Sequence, residues 1–393
     1  MGNWKTCTIA DIGTVVGGAT PSTKKPENYE NGNIAWITPK DLAGFSGRFI
    51  SHGERNITET GLNSCSTQLM PKNSVLFSSR APIGYVAIAD NEVCTNQGFK
   101  SVVPNENTDY MFLYYLLKYN KVKIENMGSG TTFKEVSGNT MRGIEVTIPE
   151  DIEEQRKIAS VLSCLDEKIE GNESINKNLS EQVFALYDNT FPSTDGFTCR
   201  ADEFFNITIG KTPPRKEPEW FSKERDNTKW VSISDMGSCG LYISDSSEYL
   251  VPEAVSKFNV VIVPDNTVLL SFKLTVGRIA ITDGIMTTNE AIAHFKTNKK
   301  EINPYLYCYL KRFNFQTLGS TSSIATAINS KIVKAMPFVI PSDTDLAQFN
   351  EVALPAFEMI KSNLRENRSL AATRDSLLPK LMSGELDVSD LSI

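Results

Sequence analysis

Histidine is almost absent. The chain has two, His52 and His294, far apart in sequence. Ser/His/Asp or Cys/His catalysis and histidine-based metal binding are therefore poorly supplied. The seven cysteines (Cys7, Cys65, Cys94, Cys164, Cys199, Cys239 and Cys308) form no Cys-x-x-Cys pair, and their number is odd. A disulfide frame or a zinc site is not expected; reduced thiols in a cytoplasmic protein are. No apolar run approaches the ~18 residues that span a bilayer. The opening Met1-Gly2-Asn3-Trp4-Lys5 has no apolar leader segment and reads as a mature start.

Excess positive charge is also missing. The formal net charge of the 393 residues is -7. Its distribution matters more than its sum. Residues 1–150 hold 14 Lys/Arg and 14 Asp/Glu, and residues 194–341 hold 17 and 15. The acid sits in residues 151–193, with 4 and 9, and residues 342–393, with 5 and 9. Two large near-neutral segments alternate with two short acidic ones, so either large segment can still carry a basic face.

What the chain has is an internal repeat. Trp36 in Asn33-Ile34-Ala35-Trp36-Ile37-Thr38-Pro39-Lys40-Asp41-Leu42 matches Trp230 in Asn227-Thr228-Lys229-Trp230-Val231-Ser232-Ile233-Ser234-Asp235-Met236. Pro71–Leu76 matches Pro264–Leu269, Gly84 meets Gly277, and Thr95-Asn96-Gln97 meets Thr288-Asn289-Glu290. Phe112–Leu116 meets Tyr305–Tyr309, and Ile148-Pro149 meets Ile340-Pro341. So many matches in one order make a duplication. Each copy opens with about 150 residues of short β-branched and aromatic runs between turns, a strand-rich α/β pattern with a short helix at about 109–120 and 304–313.

Each copy then turns helical. In the first, Ile158, Leu165, Leu179 and Leu186 recur on a seven-residue period interrupted by Asn172, with Val161, Leu162, Ile169, Ile175 and Val183 beside them. The second carries Phe357, Ile360, Leu364, Ala371, Leu378 and Leu381. The two helices are expected to pack on each other, with Pro355 breaking or kinking the second near its start. Asn172 and Asn367 fall at seam positions, either as a register-fixing buried pair or as two hydrated side chains.

No catalytic constellation emerges. Gly210-Lys211-Thr212 lacks the upstream glycine of a phosphate-binding loop and is followed by Pro213-Pro214. Asn303-Pro304-Tyr305 has a look of a methyltransferase Asn-Pro-Pro-aromatic signature but lacks the second proline, and a helix N-cap at Asn303 explains it more simply. Asp265 and Lys273 have no second carboxylate between them for a metal. No catalytic residue and no metal ligand is assigned.

The pattern resembles the specificity subunit of type I restriction-modification enzymes over essentially the whole chain. Five features carry the resemblance: the Trp36 and Trp230 segments, the Thr-Asn-Gln/Glu segments at 95–97 and 288–290, and the Gly-Ser/Thr-rich turns at 128–132 and 319–323. The others are the Ile-Pro exits into helices with Glu154-Gln155 and Gln348, and the closing Leu377-Leu378-Pro379-Lys380-Leu381-Met382-Ser383-Gly384-Glu385-Leu386. Departures are Leu346-Ala347-Gln348 in place of Glu153-Glu154-Gln155, and Pro355.

The resemblance implies an α+β fold of two pseudo-symmetric target-recognition domains joined by two long antiparallel coiled-coil helices. The expected organisation is target-recognition domain 1 at 1–150, a central helical spacer at 151–193, target-recognition domain 2 at 194–341 and a C-terminal helical spacer at 342–393. The implied protein is non-catalytic and reads a bipartite target in double-stranded DNA. Two methyltransferase subunits, bringing S-adenosylmethionine, dock on its helices. Motor-nuclease subunits using ATP and Mg join them, and no membrane is involved. No cofactor is expected in this chain itself. A helix of ~35 residues is about 50 Å long at ~1.5 Å per residue, enough to hold two readers a turn of B-DNA apart. The alternative is a tandem-repeat scaffold that does not bind DNA.

Phosphate contacts need Lys, Arg and small hydroxyl donors on presented loops, and base edges need much the same residues with Asn and Gln. The DNA-binding candidates are Lys24, Lys25, Lys40, Arg48, Arg80, Lys100, Thr131 and Lys134 in the first copy. In the second they are Lys211, Arg215, Lys216, Lys229, Lys273, Arg278, Lys296 and Ser320. Arg80 and Lys273 stand out, each between a Val-Leu run and the shared glycine. Trp36 and Trp230 are expected in the core rather than stacked on bases.

Overall fold

The computed structural model describes residues 3–130, 134–192, 197–318 and 328–388. The chain divides into two compact units, residues 1–170 with 367–393, and residues 171–366. Two long helices, the central Ile152–Thr190 and the C-terminal Asp343–Met382, each contribute to both units. Among the described residues no helix is long and apolar enough to cross a membrane.

The duplication seen in the sequence is a duplication of topology. In the first unit a five-stranded sheet has the order Gly13–Gly17, Lys100–Pro104, Val75–Ser79, Ile83–Ala89, Phe49–Ile50. In the second, Asn206–Ile209, Ile292–Lys296, Val268–Ser271, Ile279–Thr282 and Tyr242–Ile243 follow the same order. Each has antiparallel pairings except at the last strand, which is parallel. A smaller sheet holds Ile34–Ile37 between Arg55–Ile57 and Val93–Thr95; its counterpart holds Thr228–Val231 between Glu248–Leu250 and Thr287–Thr288. Val75–Ser79 is buried at every position, as is Val268–Ser271, which is why these runs read as continuous apolar stretches rather than alternating ones.

The backbone repeats in detail as well. Asn73 and Asn266 both take a left-handed conformation (φ 69° and 53°), as do Gly84 and Gly277 (φ 96° and 88°). Thr38 and Ser232 donate their hydroxyls to Asp41 and Asp235 three residues on. The short helices lie at Tyr110–Tyr119 and Asn303–Arg312. Asp109 caps the first by accepting from Phe112 N. The expected cap at Asn303 is not made: Asn303 is already helical, and its amide donates to Asn266 O at 2.8 Å instead.

A two-stranded ribbon, Trp4–Thr8 with Glu145–Pro149, closes the first domain and delivers the chain to the central helix. In the first unit that helix runs antiparallel to the C-terminal one. Asp166 meets Arg374 at 2.6 Å, and three residues on Ile169 O accepts from Asn367. Ile158, Ala159 and Leu162 share a buried cluster with Leu381, Met382 and Val388. In the second unit the same sense holds: Asn172 donates to Glu366 and Asn176 accepts from Asn363. Val183 and Tyr187 are buried with Phe349, Ala353, Phe357 and Ile360.

Two expectations for the helices are corrected. Ile175 does not fill the face beside the seven-residue series: it is 44% exposed. Of the two outcomes expected at Pro355, the break does not occur: the C-terminal helix is continuous from Asp343 to Met382. The reason lies in its facing. Glu351 and Pro355 are exposed, so the carbonyl that loses its partner four residues back is open to water, while Ala353, Ala356 and Phe357 bury the opposite side. Proline still lowers intrinsic helix stability there, partly offset by its stiffening of the unfolded chain. Pro355→Ala is expected to raise the unfolding free energy by about 1–2 kcal/mol. Guanidinium titration followed by circular dichroism measures this; a decrease would show that proline shapes the helix.

Candidate nucleic-acid interface

The repeated motifs meet at equivalent ends of the two domains. In the first, Gly18 packs on the segment 95–97 so closely that an added Cβ would lie 2.1 Å from Thr95 O and 2.3 Å from Asn96 O. Ala19 N donates to Thr95 O at 3.0 Å, Trp36 Nε1 donates to Ala19 O at 3.1 Å, and the Thr20 hydroxyl bonds Gln97. In the second, Gly210 stands in the same position against Thr288 and Asn289. Lys211 N donates to Thr288 O at 2.9 Å, Trp230 Nε1 to Lys211 O at 3.1 Å, and the Thr212 hydroxyl bonds Glu290. The tryptophans are 5% and 2% exposed. They are braces, each holding a loop that starts at residue 18 or 210. Those loops carry Lys24 and Lys25 in the first copy and Lys211, Arg215 and Lys216 in the second.

The tip following Val75–Ser79 comes to the same place. Ser79 N donates to Gly98 O at 2.7 Å, beside Gln97. Arg80 and Lys100 both reach Glu135, at 3.3 and 3.6 Å. Glu135 is held by paired backbone bonds with Ser129, and Val136 N donates to Ser79 O. Arg80 and Lys100 therefore gather around one carboxylate, and the exposed Lys134 precedes it in the chain, near Ser129. In the second copy Phe272 N donates to Ala291 O at 2.9 Å, beside Glu290, and Lys273 is exposed over the Phe272 ring. Thr131 and Ser320 lie outside the described residues.

Other candidates are placed elsewhere or are already engaged. Lys40 is exposed on the turn after Ile37 and pairs with Glu54 at 2.6 Å, a solvated pair of small energetic weight. Arg48 is 4% exposed, and its guanidinium makes two bonds to Glu170 of the central helix, at 2.8 and 2.9 Å. That arrangement ties the domain to its helix. Arg215 stacks over Phe221 and Trp230 (4.2 and 4.5 Å to the ring centres) and pairs with Glu248 at 2.9 Å while remaining half exposed. Lys229 is half-buried in its strand. Arg278 donates to Ile233 O at 2.6 Å and packs over Gly237. Lys296 donates to Ile262 O at 3.0 Å, and burial holds its ammonium below its usual pKa.

Sequence reasoning missed Glu135, which organises the first cluster, and Leu274, at 98% the most exposed large apolar side chain among the described residues. A lone glutamate and a lone leucine carry no pattern signal. His294 is buried against the braced segment: Thr208 Oγ1 lies 2.9 Å from Nδ1 and Thr288 Oγ1 2.7 Å from Nε2. Burial, with Lys296 nearby, pushes its pKa down to about 3. Among the described residues no group of three His, Cys, Asp or Glu side chains is placed to hold a metal.

The family description "type I restriction modification DNA specificity domain" matches residues 1–181 and again 198–348. The chain therefore belongs to the type I restriction-modification DNA specificity family, as a specificity subunit with two recognition domains. The MjaIX specificity subunit of Methanocaldococcus jannaschii is 32% identical over 99% of this chain and 95% of its own. The HindI specificity subunit of Haemophilus influenzae is 21% identical over 98% and 100%. The crystal structure of an S subunit from M. genitalium shares the fold, with a TM-score of 0.58 at 19% identity, covering 97% of this chain and 96% of that one.

The histidine gives a pH test. In the unfolded chain His294 binds a proton below about pH 6.5; in the fold it stays neutral down to about 3. The unfolded state binds more protons in that window, so stability rises with pH through it and falls on acidification, by at most about 1.4 kcal/mol per pH unit. Thermal melts between pH 7 and 4 should show this loss in the wild type and a shallower one in His294→Gln. Parallel profiles for the two proteins would remove His294 as the cause.

Proposed function

We propose that residues 1–150 and 194–341 each read one half of a bipartite target in double-stranded DNA, and that this chain carries no catalytic step. The observation that carries the reading is the repeated brace. Trp36 with Thr95, and Trp230 with Thr288, fix a loop and a neighbouring strand tip at equivalent ends of two homologous domains. Basic side chains lie on or beside those tips: Lys24, Lys25, Arg80, Lys100 and Lys134 in one, Lys211, Arg215, Lys216 and Lys273 in the other. Such tips suit a polyanion: ammonium and guanidinium groups neutralise phosphates, and short polar side chains beside them meet base edges.

Partners follow from the same reading. Methyltransferase subunits bring S-adenosylmethionine and dock on the helical regions, and motor-nuclease subunits bring ATP and Mg. The complex works in the cytoplasm, where its DNA is. The helices have 39 and 40 residues, about 60 Å at ~1.5 Å per residue, longer than a turn of B-DNA. A covalent link between two weak readers raises the effective concentration of the second at its half-site.

Co-expression with the methyltransferase subunits of its system, followed by genome-wide mapping of methylated adenines, tests the reading. A split motif with two defined halves is expected. A complex that assembles yet leaves no motif would favour a scaffold. Within the assembled complex, Arg80→Ala or Lys273→Ala should weaken binding and lower the slope of log affinity against log salt by roughly one. Unchanged affinity and slope for both would remove these residues from the interface.

A further inference from the structure

Leucine is a costly residue to leave in water, and Leu274 is left there almost entirely, at 98% exposure. It also sits in a left-handed backbone conformation, φ 58°, which a γ-branched side chain rarely adopts. The turn around it is not loose. Ser271 Oγ donates to Thr275 O at 2.6 Å and accepts from Arg278 N at 3.0 Å, and Gly277 N donates to Ser271 O at 3.0 Å. On one side Phe272 is 1% exposed in the core; on the other Val276 packs against the same core cluster, with Phe315. Two anchored flanks thus hold one apolar side chain outward at the tip of the hairpin Val268–Ser271/Ile279–Thr282.

The surroundings indicate what covers it. Lys273 is the adjacent residue and is exposed. At the hairpin base, Phe272 bonds Ala291, next to the Glu290 that receives Thr212 from the braced loop of Lys211, Arg215 and Lys216. Cationic neighbours favour a polyanion over an apolar protein surface. A two-stranded ribbon has the width to enter the major groove, where the thymine C5-methyl is the apolar feature of the base edges. The first copy has Ala81 at the same backbone position, φ 53°, so the two halves differ here in apolar reach.

We propose that Leu274 is a specificity-determining residue: its side chain packs on a thymine C5-methyl in the half-site read by the second domain. This rests on the DNA-reading function proposed above. The test uses the assembled complex and the target defined by its methylation motif. Thymines in the second half-site are replaced one at a time by deoxyuridine, which lacks only the methyl group. One replacement should weaken wild-type binding about fourfold, the factor for a single buried carbon. The same replacement should have no effect on a complex carrying Leu274→Ala, which should melt at the wild-type temperature because the side chain touches no core. If no deoxyuridine is discriminated, or if wild type and variant respond alike, the proposal is overturned. A second half-site without thymine also overturns it, whereas failure of the wild-type complex to bind any DNA would refute the function itself.

Discussion

A buried carboxylate sets the terms for the first unit. Asp166 of the central helix is 5% exposed. It accepts from Arg374 of the C-terminal helix at 2.6 Å and from the Tyr115 hydroxyl of the recognition domain at 2.6 Å. A charge removed from water without partners costs several kcal/mol. Slippage of the C-terminal helix by one turn would remove Arg374 and leave the Asp166 charge with the Tyr115 hydroxyl and no cation, so the contact selects one register of the antiparallel pair. Apolar packing around Ile158 and Leu162 tolerates many registers; the ionic contact does not.

The second unit solves the same problem with the signs reversed. There the buried acid, Asp283, belongs to the domain, and the cations Lys361 and Arg365 belong to the helix, at 3.7 and 2.5 Å. In the first unit Arg48 of the domain meets Glu170 of the helix. Opposite polarity discourages either domain from seating on the helix that follows the other, because like charges would then be buried together. The fixed seat in turn gives the braced loops a defined platform. Binding residues on loops become useful once a scaffold positions them, and here the scaffold is the Trp-to-carbonyl bond repeated at Ala19 and Lys211.

Much of this was legible in the sequence because duplication leaves a signal that needs no physics to detect. The repeat located both domains' motifs, the short helices and the switch to long helices after each Ile-Pro. Burial of Trp36 and Trp230 followed from their size. Facing was less legible. The helical pattern placed Ile175 on the face beside the seven-residue series, but the helix turns it to water, and Pro355 looked like a break because its exposure cannot be read from a single residue. The charged candidates were least legible. Arg48 and Arg80 are alike as letters; only the fold buries one against a helix carboxylate and leaves the other on a tip. Leu274 and Glu135 depend on backbone conformation and on neighbours far along the chain, neither of which composition encodes.

The ionic contact between Asp166 and Arg374 fixes the helix pair, and a double-mutant cycle between the two residues measures it. Asp166→Asn and Arg374→Gln, singly and together, are compared by equilibrium unfolding. The structure predicts a coupling energy above about 1 kcal/mol, with the double variant more stable than the sum of the single losses. Additive losses, with no coupling, would contradict the claim that this contact sets the register.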